Sequence, residues 1–400
     1  MQNPVATFRC FCVVASFSAL LFGASFAGAA EPYRPAQDNV VLERLPWRVD
    51  GDARRLADLR KALADRPDDV VAALALARHA FRLAIAHGDS RWAGMGEAAL
   101  KPWWDKADAA VDVLLVRALL KQYRHEFDAA LADLALAAQA APTRADIRSW
   151  RVAIHLVHAD IDAARADCES LAPGNNGQDL RECRAWIAGV SGNARGAYAE
   201  FLRIAAETTG ESAGSRRWIL LQLAENAMRL GRRGDAETHL RAAHAISGPD
   251  HAILIALADF LFEDGRYREV EDLLGPQYQS DAALLRRALA RNKLGDVRWR
   301  ADADRLNDRY NAARQRGEAL RESDEARLHL ELYDQPAVAL RLAQSNWRIQ
   351  RESADARILL LSAIAAKKPQ EAAPVLEWLE RTRIEEPRLI ELARSLRRPG

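Results

Sequence analysis

At 400 residues, the chain is long enough for two or three globular domains or for one long repetitive one. Hydrophobic residues make up 49% of it and charged residues 28%, enough for a large core beneath a soluble surface. The 57 basic and 56 acidic side chains nearly cancel, so a formal charge of +1 argues against nucleic acid as a partner.

The first thirty residues differ from the rest. MQNPVATFR carries one positive charge, CFCVVASFSALLF follows as an apolar run, and GASFAGAAEPY ends it with small residues. This order predicts a secretory signal peptide over 1–30, cleaved near Ala29 or Ala30, and a periplasmic or secreted mature protein. The competing reading is a retained anchor over 10–30, nearly long enough to span a bilayer. No cysteine closes the apolar run, which argues against a lipid-anchored form. No later segment reads as long and apolar enough to cross a membrane. Residues 31–50 contain three prolines and no sustained period, and are expected to form an extended arm.

From residue 51 the text becomes rich in Ala, Leu, Arg and Glu, with apolar residues at three and four spacing. RRLADLRKALADRPDD predicts a helix stopping near Pro67, and VVAALALARHAFRLAIAHGD a second ending at Gly88. We expect capping helices and a degenerate first repeat over 51–107. GMGEAA, Gly94 to Ala99, matches a dinucleotide-type Gly-x-Gly-x-x-Ala. That motif needs a preceding strand, and a helix precedes it here, so it reads as a loop between helices. No run of alternating β-branched residues occurs anywhere, and the chain is expected to be all-α.

Self-comparison shows a repeat. HEFDAALADLALAAQAAP has a turn, an aromatic residue, a small residue at Ala130, a large apolar one at Leu134 and a closing Pro142. The same order recurs around Ala164, Ala197, Ala236, Val270, Ala339 and Ala373, in steps of 34, 33, 39, 34, 69 and 34 residues. The 69 is two periods with its middle near Ala303. The 39 is one period plus the polar insertion ETTGESAGS at 207–215.

A unit of about 34 residues with two helices, a small residue early in the second and a proline at its end resembles the tetratricopeptide repeat. Ala130, Ala164, Ala197, Ala236, Ala339 and Ala373 match its small position, and Phe127 and Tyr267 the aromatic that opens the second helix. Gly231, Gly265 and Gly295 match its inter-helix glycine, and Leu134, Phe201, Leu240 and Leu274 its large apolar position. The first helices mostly lack the family's Trp and Tyr, and Val270 replaces an alanine. The resemblance implies a right-handed α-solenoid of about 7–8 stacked hairpins over 108–385, closed by a capping helix over 386–400. It also implies a concave groove lined by first helices, where Trp186 and Trp218 lie. The same register sends Gln122, Tyr123, Glu225, Arg229, Asp259, Phe262, Asn292 and Lys293 toward that groove. Such a mixture suits an extended peptide or a helix.

Signals for chemistry are weak. His155 and His158 in HLVH stand one helical turn apart, a spacing that can chelate zinc, but only Asp160 is near as a third ligand. Asp302, Asp304 and Asp308 lack the glycine of a calcium loop and sit in helical text. Glu322 to Glu325 reads as a solvated helix start. Most of the ten tryptophans are expected in the core, Trp378 between repeats among them. No catalytic residue, metal or cofactor is expected.

Cys168 and Cys183 flank a long turn between units, on adjacent helices of a chain expected to be exported. Their spacing fits neither a zinc knuckle nor a Cys-x-x-Cys pair, and a disulfide is expected, two buried free thiols being the competing reading. The whole points to a non-catalytic envelope scaffold with a protein or peptide in its groove. A cell-wall glycan or exported polysaccharide is the second reading, and an enzyme with a site invisible in sequence the third.

Overall fold

The computed structural model describes residues 51–171, 177–207, 212–316 and 322–397; the signal-peptide and arm expectations lie outside them. Among the described residues there are twenty α-helices, two short 3-10 turns and no strand. A lead-in of α1 (Gly51–Asp65), α2 (Val70–His87) and α3 (Ser90–Leu100) precedes eight antiparallel hairpins. These are α4/α5 (Val111–Tyr123, Phe127–Ala140), α6/α7 (Ala145–Val157, Ile161–Glu169), α8/α9 (Gln178–Val190, Ala194–Glu207) and α10/α11 (Ala213–Arg229, Arg233–Ala245). They continue as α12/α13 (His251–Glu263, Tyr267–Leu273), α14/α15 (Asp281–Lys293, Trp299–Gln315), α16/α17 (Glu322–Glu331, Pro336–Ile349) and α18/α19 (Ser353–Ala365, Ala373–Thr382). α20 (Pro387–Arg397) closes the series.

Local chemistry sets the helix ends. Asp69 accepts from the Val71 and Ala72 amides at the start of α2, and Gly88 ends it at φ 63°. Each of the eight hairpins turns through one left-handed residue: His125, Ala159, Gly192, Gly231, Gly265, Gly295, Asp334 and Lys367. The amide after this corner reaches back to a carbonyl in the last turn of the first helix, as Asp160 does to His155 at 2.8 Å and Lys368 to Ala363 at 2.9 Å. These bonds satisfy carbonyls a helix end leaves open. Only half of the corners are glycine, so four repeats lack the glycine that would mark this turn in the sequence.

The small positions are where neighbouring helices meet. Ala130, Ala164, Ala197, Ala236, Val270 and Ala339 are fully buried, and Ala303 fills the gap in the series. The last anchor is one residue out: Ala373 is exposed and Ala372 is buried. The 3-10 turn Pro369–Ala372 that leads into α19 shifts the register there. Leu134, Cys168, Phe201, Leu240 and Leu274 fill the large apolar position with no exposure. GMGEAA is not a loop but the body of α3, where a Cβ on Gly96 would come within 2.9 Å of Leu120. The apolar α2 is, by length and composition, able to cross a bilayer, contrary to expectation. Here its apolar side chains join the core shared with α1, α3 and α4.

The series also curls back on itself. α2 packs against α12, and Gly88 lies so close to His251 that a Cβ would overlap its ring. At the other end, the chain around α18 and the α19–α20 link crosses four successive hairpin corners. The Arg351 amide donates to the Val157 carbonyl at 2.8 Å, and its guanidinium to the His158 carbonyl at 3.1 Å. Arg383 lies against Gly192, Glu385 Oε2 accepts from the Ala194 amide at 2.7 Å, and Pro387 lies near Gly231. Arg388 donates to Glu263 at 2.5 Å and to Asp264 at 3.3 Å. Ala159, at the α6/α7 corner, is correspondingly part of the C-terminal core with Trp347 and Trp378.

Candidate functional site

The ten groove residues all sit on first helices. Gln122 and Tyr123 end α4, and the Tyr123 hydroxyl donates to the Ala84 carbonyl at 3.3 Å. Trp186 on α8 and Trp218 on α10 meet edge to face at 5.7 Å, and Trp218 meets Phe201 at 5.6 Å. Both indoles are half-buried against the central core. Phe262 on α12 is buried beside Tyr267, with ring centroids 5.1 Å apart. On α14, Asn292 is half-buried and Lys293 is exposed.

Asp259 belongs to an ion network. Asp259 on α12 accepts from Arg286 on α14 at 2.9 Å and from Arg327 on α16 at 2.7 Å. Arg286 continues to Asp324 at 2.7 Å, and Arg327 to Glu331 at 2.9 Å. The Arg327 guanidinium also lies 5.0 Å from the Phe262 ring centroid. Burial alone would raise the Asp259 carboxyl, but the Arg286 and Arg327 charges override it and hold the group well below the usual range. One charge ladder thus ties three successive first helices together.

Glu225 on α10 has the opposite environment. Burial raises its carboxyl, the Arg229 charge at 3.4 Å opposes that without cancelling it, and the charges of Glu352 and Glu386 add to the rise. Both carboxylates come from the segments that fold back across the hairpin corners, so that end of α10 faces the protein's own C-terminal region.

Residues singled out for chemistry do not converge. His155 faces Asp167 at 3.3 Å, with Arg151 at 2.8 Å and Arg148 at 3.2 Å, whereas the His158 ring packs edge-on to Phe127 at 5.5 Å. Asp302 lies within α15 and pairs with Arg287 and Arg291. Arg117 ties the carbonyls of Trp103, Trp104 and Lys106 to Asp133, and Arg287 does the same between Leu274, Gly275, Tyr278 and Asp302. These arginines hold inter-repeat loops, a job the sequence reading missed. Each is a charge on an otherwise apolar helix face, sixteen or fifteen residues before its acid. Cys168 on α7 and Cys183 on α8 are joined, with Cα atoms 5.9 Å apart.

One cleft of about 710 Å³ opens between α17 and α19. Trp347 and Trp378, 5.5 Å apart and edge to face, lie in its floor. Gln344, Gln370, Glu371 and Glu377 line its walls with Arg348 and Arg381, and Gln344 donates to Glu371 at 2.5 Å.

No protein-family model and no curated protein matches the chain. Solved structures do. The Cut9 and Hcn1 hetero-tetramer of the APC/C aligns over 87% of this chain and 67% of that one, with a TM-score of 0.51 at 13% identity. A tetratricopeptide repeat protein from Parabacteroides merdae aligns over 77% of this chain and 99% of that one, with a TM-score of 0.31 at 13% identity. The P58(IPK) TPR domain aligns over 86% and 92%, with a TM-score of 0.20 at 13% identity. Eight stacked hairpins with buried small residues at their crossings, together with the first of these likenesses, give the fold: an all-α solenoid of the tetratricopeptide-repeat type.

Proposed function

We propose that the protein is an exported scaffold of the cell envelope that binds a polypeptide on the inner face formed by its first helices, without catalysis. The observation that carries this reading is the row of first helices α4 to α14. It carries half-buried Gln122, Trp186, Trp218 and Asn292 and exposed Lys293, on hairpins joined by buried Arg–carboxylate ties. Such a surface offers aromatic anchors beside fixed charges, the composition that recognises peptides and helices. The structure of similar fold is that of a Cut9–Hcn1 hetero-tetramer, which agrees with a binding role. Export rests on the N-terminal signal-like segment and agrees with the joined cysteines, since disulfides persist in oxidising compartments. The test is affinity capture from envelope extract with the mature protein. One partner recovered in stoichiometric amount supports the reading, and capture of glycan alone overturns it.

A second reading has one observation in its favour. The cleft between α17 and α19 combines indoles, amides and carboxylates, groups that suit the faces and hydroxyls of a sugar ring, so a glycan ligand is proposed there as the alternative.

A further inference from the structure

The chain around α18–α20 makes contacts that the stacking of repeats does not require. Neighbouring repeats in a solenoid touch only each other. Here Arg351, Arg383, Glu385, Pro387 and Arg388 touch, in that order, the corners of α6/α7, α8/α9, α10/α11 and α12/α13. The contacts are specific in chemistry. Glu385 takes one of the open amides at the start of α9, Arg351 takes carbonyls at the end of α6, and Arg388 meets two carboxylates at the end of α12. Ile384 is buried in the C-terminal core and anchors the link there. The outer groups are weakly held: Arg388 is 44% exposed, a setting where solvent screens ion pairs.

We propose that residues 383–388 form a latch that holds the superhelix closed across the hairpin corners of α6 to α13, and that a polypeptide partner gains the adjoining inner face when the latch lifts. The resting occupant of that edge is this chain's own Arg-Ile-Glu-Glu-Pro-Arg segment. A partner that displaces it presents an acid for the α9 amide, while Glu263 and Asp264 keep Arg233 as their partner. The regulatory part rests on the reading of the inner face as a partner site; the closure itself does not.

Hydrogen exchange on the full chain tests closure without a partner. The Glu385→Gln/Arg388→Ala double variant changes two groups outside the core. The Ala194 amide is expected to exchange at least tenfold faster in it, with α9 and α20 still protected and the radius of gyration increased. Raising wild type to 1 M salt, where the screening length falls to about 3 Å, is expected to shift the same amide in the same direction. Unchanged exchange at Ala194 under both conditions overturns the latch. The open variant is then compared with wild type in capture from envelope extract. Stronger capture supports the regulatory role, and faster exchange without stronger capture overturns that role while leaving closure intact.

Discussion

Arg327 on α16 reaches the carboxylate of Asp259 on α12, 68 residues earlier in the chain, with Nη1 2.7 Å from Oδ1. Arg286, from the helix between them, holds the other side of that carboxylate. Removing the acid leaves two guanidinium groups facing each other with Asp324 and Glu331 as their remaining partners. Asp259→Asn is expected to cost about 2 kcal/mol, less than a fully buried pair because the Asp259 side chain is 31% exposed. The pH sign follows from the depressed carboxyl: its contribution is present above about pH 4 and is lost as pH falls toward the folded value. Denaturant melts of wild type and variant at pH 7 and pH 3 check both points, with the difference between them smaller at pH 3.

Glu225 predicts the reverse. Burial and the charges of Glu352 and Glu386 raise its carboxyl above the unfolded value, so the ionised form costs stability at neutral pH. Glu225→Gln is expected to raise the melting temperature at pH 7. The gain shrinks as pH falls to about 4, where wild type is itself protonated. A melting curve that moves equally at both pH values contradicts this.

Lys367 holds the left-handed corner of α18/α19 at φ 55° with an exposed side chain. A left-handed conformation costs a non-glycine residue about 1–2 kcal/mol, partly offset by the greater unfolded-state freedom of glycine. Lys367→Gly is therefore expected to stabilise by about 0.5–1 kcal/mol in urea melts, whereas Lys368→Gly, one residue on, destabilises.

The Cys168–Cys183 link closes a loop with a sequence separation of 15. On the chain-entropy model such a loop contributes about 3 kcal/mol. Thiol titration of the unfolded, unreduced mature protein is expected to find neither cysteine free, and reduction is expected to lower the melting temperature. Two titratable thiols contradict the link.

Local pattern carried the fold, because a small residue every 34 or so positions is the direct trace of two helices crossing closely. It failed where geometry departs from the pattern. At Ala373 a 3-10 turn moves the buried residue to Ala372, and at His125, Ala159, Asp334 and Lys367 a non-glycine takes the left-handed corner. That the ten groove candidates fall on first helices was legible in the repeat register. The pairing of Asp259 was not, because its partners come from 27 and 68 residues away. The latch leaves no local trace at all: Glu385 meets Ala194 across 191 residues, and nothing in Arg-Ile-Glu-Glu-Pro-Arg announces that contact.

Polypeptide binding at the proposed inner face is directly testable. Photo-crosslinking groups placed one at a time at Gln122, Trp186 and Lys293 on first helices, and at Thr238 on the second helix α11 as a control, test it in living cells. One protein partner is expected to be trapped from the three first-helix positions and not from Thr238. A partner trapped equally from Thr238, or no protein trapped from any first-helix position, contradicts it.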